Sequence, residues 1–202
     1  MKSYPHIFGP SKAPHLPCLA FYKYDGSNLR FEWSKKRSWY KFGTRTQLID
    51  KSDPVFGEAI PIFLETLAEG IEKVLRDRYR ERQSAIVFAE FFGQKSFAGT
   101  HLAGDPKELV LFDVNPHKEG ILGPKEFVKR FGHLKSAQVV YEGNLNDQLI
   151  EDVRNGRIKG LVEGVVCKGG SGHSLWMRKI KTNEYRERLK KLYTEGWEKY
   201  WE

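Results

Sequence analysis

Cysteine is nearly absent from this chain: Cys18 and Cys167 are the only two among 202 residues. That excludes a disulfide-built scaffold, and both cysteines lie in apolar runs where they read as reduced core residues. Histidine is sparse as well. Its six copies are scattered without ligand spacing, which argues against a zinc site. No apolar run approaches membrane-spanning length, and the opening residues Met-Lys-Ser-Tyr-Pro-His carry no apolar leader segment. Repeats and low-complexity linkers are missing too. These absences point to a soluble, cytoplasmic protein with no membrane partner.

Ordinary globular composition is what remains, with 40% hydrophobic and 30% charged residues. The length suits one large domain or two small ones. Net charge is +8, which suggests a polyanionic partner. The excess is not uniform. Residues 1–50 hold nine Lys/Arg against three Asp/Glu, and residues 168–202 hold nine against five. The middle, with sixteen against eighteen, is slightly acidic. If the two ends meet in space they make one basic face; a merely solvated surface would carry the same totals.

Residues 1–17, rich in Pro, His and Gly, read as an irregular arm. Alternating or aromatic runs predict strands over 18–24, 27–34 and 38–44. Asp53-Pro54 is a helix-opening signal, and Ile60, Phe63, Leu64, Leu67, Ile71, Val74 and Leu75 continue it at helical spacing. Further strands are predicted over 84–92, 108–114, 137–141, 161–168 and 175–180. Helices are predicted over 124–130, 146–154 and 183–193. Strands dominate without regular βαβ units, so the fold class is α+β with a mostly antiparallel sheet core and flanking helices. At the C-terminus, Tyr185, Leu189 and Leu192 keep helical spacing and read as packed on the domain. Trp197, Tyr200 and Trp201 suit packing better than base stacking.

Lys23-Tyr24-Asp25-Gly26 is the stretch with the most chemistry. A lysine at the rim of a buried strand, followed by a carboxylate and a glycine, suits attack of an amine on a nucleoside triphosphate. A strand would point Asp25 to the same side as Lys23, and Gly26 permits a sharp turn and close ligand approach. Downstream, Glu90, Asp113 and Glu163 interrupt apolar runs, while Lys179 and Lys181 alternate with Ile180 and so share a strand face. Buried charges are costly unless paired or coordinated. Lys23, Asp25, Glu90, Glu163, Lys179 and Lys181 therefore make sense in one shared site. Taken singly, each has a plainer explanation: Glu90 or Glu163 as an edge charge facing water, Asp113 as a cap before Asn115-Pro116, the lysines as a solvated strand face.

Taken in order, the series Lys-x-Asp-Gly (23–26), Gly-Thr-Arg (43–45), Phe-Ala-Glu-Phe-Phe-Gly (88–93), Leu-Phe-Asp-Val (111–114), Val-Glu-Gly-Val-Val-Cys-Lys (162–168) and Lys-Ile-Lys (179–181) resembles the covalent nucleotidyltransferase superfamily of ATP-dependent DNA ligases, RNA ligases and mRNA capping enzymes. Asn28 and the 88–93 stretch look most like its nick-sealing RNA ligase branch. The resemblance covers 18–185 and implies a nucleotidyltransferase/ATP-grasp-like ligase catalytic domain over those residues. They would be flanked by the arm at 1–17 and a basic, aromatic helical tail at 186–202. It implies an ATP-dependent RNA ligase that forms a lysyl-AMP intermediate and joins RNA 5′-phosphate and 3′-hydroxyl ends in RNA repair. Lys23 would be the nucleophile and Asn28 would act in sealing. Arg45 would contact ribose or phosphate, Glu90 would bind ribose, and Phe112 would stack on adenine. Lys168, Lys179 and Lys181 would contact phosphates. Asp25, Glu90 and Glu163 would hold Mg²⁺, or Mn²⁺ in its place, directly or through water. The implied partner is RNA, as nicked duplex or free ends, with DNA as the alternative. The sequence after 185 is short for the extra domain many ligases use on polynucleotide, and a partner supplying one is left open. A minimal DNA ligase, an end-adenylating enzyme and a catalytically silent binding module on the same fold remain the alternatives.

A free lysine with a pKa of about 10.4 is only about 0.04% neutral at pH 7, so the nucleophile needs its pKa lowered. Lys179, Lys181 and a divalent cation are the expected causes.

Overall fold

The computed structural model describes residues 3–11, 15–93, 104–193 and 195–197. Nine strands and five α-helices are present among them. In chain order they run β1 (Pro17–Lys23), β2 (Ser27–Ser34), β3 (Ser38–Gly43), β4 (Leu48–Ile49), α1 (Ala59–Thr66), α2 (Ala68–Arg78), β5 (Ser84–Phe92) and β6 (Glu108–Pro116). There follow α3 (Pro124–Phe131), β7 (Val139–Asn144), α4 (Asp147–Arg154), β8 (Gly164–Gly169), β9 (Trp176–Lys181) and α5 (Asn183–Leu192). The strands form a four-stranded sheet, β7-β1-β8-β9, and a five-stranded sheet, β4-β3-β2-β5-β6. All the pairings within them are antiparallel. This is the α+β architecture that the strand-rich pattern predicts.

Consecutive strands β1 and β2 belong to different sheets. The turn at 24–26 therefore crosses from one sheet to the other, and Lys23, the last residue of β1, sits where the sheets part. β1 is buried on both faces, which explains its unbroken apolar run. Leu19 and Phe21 join the large core with β2, β5, β6, α1, α2 and α3, while Cys18 and Ala20 face a smaller core with α4, β8 and β9. Lys23 continues the Leu19–Phe21 side.

Several predicted boundaries move. The helix foreseen from Asp53 starts at Ala59. The Asp53 carboxylate instead accepts hydrogen bonds from the backbone N–H groups of Val55 (3.0 Å) and Phe56 (2.8 Å), closing a turn. Pro61 then falls in the first turn of α1, where a missing N–H is harmless. The helix also breaks at Leu67, with φ −124°. That break leaves Leu64 exposed while Ile60, Phe63, Leu67, Ile71 and Leu75 stay buried. The strand foreseen from Ala137 begins at Val139, because residues 135–137 bond to Leu111 on the edge of β6 before the chain reaches β1. The strand foreseen from Leu161 begins at Gly164, so Glu163 precedes it. Gly164 has φ +150°, and a Cβ there would lie 2.0 Å from the Ile180 carbonyl oxygen; only glycine fits.

The arm is more ordered than its composition suggests. Tyr4 is buried, the Lys179 N–H donates to the Phe8 carbonyl (3.0 Å), and Phe8 bridges Arg178 of β9 in parallel. At the other end, α5 is one helix across residue 185. Tyr185 and Leu189 are buried beneath it, whereas Leu192 is exposed. Trp197 packs under the Lys190 ammonium, 5.0 Å from the ring centre. Tyr200 and Trp201 lie outside the described residues.

Candidate active site

Between the two sheets lies a cavity of ≈ 570 Å³, lined among others by Tyr4, Lys23, Asn28, Arg45, Glu90, Phe112, Lys168 and Lys179. Strand register explains why these residues meet. In the four-stranded sheet Lys23 pairs with Gly164 and Gly164 with Lys181, while Phe21 pairs with Val166 and Val166 with Lys179. Lys179 and Lys181 thus share the face of Lys23, as their alternation predicts. In the five-stranded sheet Asn28 sits opposite Glu90. Phe112 is the extra residue of a bulge, because Phe88 pairs with Asp113 and Ala89 with Leu111. Such a bulge re-aims a side chain, and here it turns Phe112 to the cavity.

Lys23 lies at the cavity floor, its Nζ 2.8 Å from Glu163 Oε1. Asp25, Glu163 and Lys181 are buried behind it rather than lining the open space. Asp25 gets there from the inter-sheet turn, not from the strand that the sequence suggests. Its Oδ1 accepts a 2.8 Å hydrogen bond from the Tyr185 hydroxyl. Gly26 packs this turn against β5, and a Cβ there would stand 2.5 Å from the Phe91 carbonyl oxygen. Lys168 is buried at the other end. Its Nζ donates to Asp113 Oδ2 (2.8 Å) and to the Phe112 carbonyl (2.9 Å). Asp113 is therefore no turn cap; it is the counter-ion of Lys168, and it also accepts from the Tyr4 hydroxyl.

Charge is unevenly balanced around Lys23. Burial pulls its ammonium down, but Glu163, Glu90 and Asp25 outweigh that and hold the pKa above the ordinary lysine value. The free chain thus does the reverse of the expected activation: Lys179 and Lys181 do not overcome three carboxylates. Glu90 shows the same excess of negative charge. Burial raises its pKa, Lys23 opposes, and Glu163 and Asp25 add to the rise, to about 8. Burial and the neighbouring carboxylates both disfavour the charged form of Glu90, and a cation placed among them would favour it. Carboxylate oxygens suit Mg²⁺ or Mn²⁺. Among the described residues, no three His, Cys, Asp or Glu side chains are grouped so that they could hold a metal ion by themselves.

Two contributors escaped the sequence reading. Tyr4 lay in a segment read as irregular, and Tyr185 read only as helix packing. The spacing of Tyr185 with Leu189 signalled burial, but nothing signalled a hydroxyl aimed at Asp25.

The RNA ligase family profile matches residues 18–191. The chain belongs to the RNA ligase family. No curated protein matches it at the level of sequence. Among solved structures, a Naegleria gruberi RNA ligase with pyrophosphate is similar over 95% of this chain at TM-score 0.67 and 15% identity. A variant of that ligase with AMP and Mn is similar over 93% at TM-score 0.65 and 15% identity. An Aquifex aeolicus protein assigned as an ATP-dependent DNA ligase is similar over 95% at TM-score 0.65 and 17% identity. The chain spans 58% of the Naegleria chains and 52% of the Aquifex chain. At these identities the likeness shows the fold of a ligase catalytic domain.

Proposed function

We propose that this RNA ligase family member is an ATP-dependent RNA ligase that adenylates itself on Lys23. The observation that carries the reading is the Lys23 amine. It stands at the floor of a nucleotide-sized cavity, in contact with Glu163 and flanked by Lys179 and Lys181. In the first step the neutral amine attacks the α-phosphorus of ATP in line. An N–P bond forms, the bond to the β-phosphate oxygen breaks, and pyrophosphate leaves. Glu163 is placed to take the proton that Lys23 must lose. Lys179 lines the same cavity and would offset charge on the phosphate oxygens, with Lys181, buried behind Lys23, adding positive potential. Phe112 offers a ring face to adenine, Arg45 stands at the rim for ribose or phosphate, and Lys168 fixes the backbone that carries Phe112. Asp25, Glu90 and Glu163 would hold a hydrated Mg²⁺ or Mn²⁺, whose charge would draw theirs away from Lys23 and favour the uncharged amine. AMP then passes to an RNA 5′-phosphate, and a 3′-hydroxyl displaces it with Asn28 assisting.

Incubation with ATP labelled at the α-phosphate tests this directly. The label should stay on the protein through denaturation and alkali and be released by acid, as a phosphoramidate is, and Lys23→Ala should reduce it at least about a thousandfold, the scale of losing a covalent nucleophile. Absence of label on the wild-type chain with either cation would end the ligase reading. Transfer of the label to DNA 5′-phosphates in preference to RNA would redirect it to the DNA ligases.

A further inference from the structure

The open face of the five-stranded sheet is divided in three. Its first row, Asn28 and Glu90, belongs to the nucleotide cavity. Its third row, Glu32, Ile86 and Asn115, belongs to a second cavity of ≈ 550 Å³. The row between, Arg30, Phe88 and Asp113, is covered by the N-terminal arm. Arg30 Nη1 donates to Ser3 Oγ (3.0 Å), and the Tyr4 ring lies edge-on to Phe88 at 4.9 Å. Tyr4 also meets Phe112 at 5.1 Å and 88°, and its hydroxyl bonds Asp113. The arm touches the nucleotide site at two more points. Ser3 Oγ donates to the Arg45 carbonyl (2.9 Å), and the Phe8 carbonyl accepts from the Lys179 N–H.

We infer that Tyr4 is the end wall of the base pocket and sets the size of base the enzyme accepts. The inference rests on the proposed ATP site and deepens it. Phe112 supplies one face for the base, and Tyr4, standing perpendicular to Phe112, closes the space beyond. The hydroxyl bond to Asp113 and the packing on Phe88 hold the wall upright. A purine of natural size stops at Tyr4; a base with a bulky substituent meets a ring that is buried and cannot swing away. Truncating Tyr4 opens the pocket toward Phe88 and Arg30.

The test measures Lys23 adenylation with ATP and with ATP analogues carrying a benzyl group on N6 or a phenyl group at C2. Wild type should use ATP and reject both analogues. Tyr4→Ala should raise the KM for ATP about tenfold and accept at least one analogue, narrowing the ATP-to-analogue ratio by about 10–200-fold, the range expected when a shape contact is removed. Tyr4→Phe keeps the ring; it should hold the wild-type size discrimination while the KM rises a few-fold. Tyr4→Leu repeats the truncation with less loss of apolar packing and replaces Tyr4→Ala if that variant melts early. A loss of stability alone would reduce the amount of active enzyme without changing the analogue ratio. Folded Tyr4→Ala or Tyr4→Leu protein that still rejects both analogues and keeps the wild-type KM overturns the inference. If wild type takes no label at all, the ligase reading fails instead. Calorimetric binding of ATP and the analogues to the same variants then still reports the wall, with the same two outcomes.

Discussion

Lys168 and Asp113 form an ion pair with side-chain exposures of 3% and 0%. At this depth the pair's own net worth is small, but breaking it is not, because the surviving charge has no water to turn to. Lys168→Met should therefore destabilise the protein by about 3–5 kcal/mol, measured by urea unfolding. The double variant Lys168→Met/Asp113→Leu should recover much of that loss. A Lys168→Met protein as stable as wild type would contradict the buried pairing. Gly26 poses a steric problem instead. An alanine methyl would press on the Phe91 carbonyl at 2.5 Å and on Glu90 Cγ at 2.9 Å. Overpacking of this kind costs about 1–3 kcal/mol, and here it would also shift Glu90. Gly26→Ala should lose far more adenylation activity than stability, read by label incorporation beside a thermal melt.

The pinning of α2 to the hairpin of β2 and β3 belongs to the scale of elements. Ser38, at the turn with φ +52°, donates to Glu72 (2.6 Å), and Arg76 one helical turn on donates to the same carboxylate (2.7 Å). Burial pushes the Glu72 pKa up, but these hydrogen bonds and the Arg76 charge outweigh it and hold the group below its ordinary 4.5. A carboxylate depressed in the folded state stabilises the fold fully above its unfolded pKa. It loses that contribution as pH falls through the folded value. Glu72→Gln should cost about 1 kcal/mol at pH 7, and the gap to wild type should close toward pH 3 in urea titrations. A gap independent of pH would mean the contact is packing rather than charge. Helix boundaries were the weakest part of the sequence reading for a related reason. Asp53-Pro54 is as good a start signal as any, but the Asp53 side chain found partners in a turn, and the helix starts six residues after Asp53, at Ala59.

Over the whole molecule, residues from the two basic ends of the sequence do meet, with Lys23 and Lys168 paired there to Glu163 and Asp113. Lys23 and Arg45 come from the first fifty residues, Lys168 and Lys179 from the last thirty-five, and all four line one cavity. If RNA docks across this mouth, its phosphates displace counterions there. Affinity for a nicked RNA duplex should then fall steeply and log-linearly with salt, by about 10³-fold or more between 50 and 200 mM if six phosphates are engaged. Fluorescence anisotropy would read this, and a flat salt response would place the RNA elsewhere. The chain covers little more than half of the Naegleria and Aquifex chains, so end joining is also to be tested on longer substrates and with added partner domains.

Sequence order alone pointed to one shared site for the lysines and carboxylates, because charges set into apolar strands are costly unless paired. It also determined the strand-rich class, since alternation and aromatic runs report one-sided burial. Tertiary structure decided the rest. It made the Lys23–Gly26 turn a crossing between sheets, swung Phe112 inward on a bulge, laid Tyr4 across the sheet and brought Tyr185 under Asp25. Those placements depend on register and on contacts between segments 100 or more residues apart, and local pattern carries no trace of a distant partner. The Lys23 amine is the sharpest case. Its neighbours were legible as residue types, but whether they would raise or lower its pKa depended on which of them came closest, and Glu163 did.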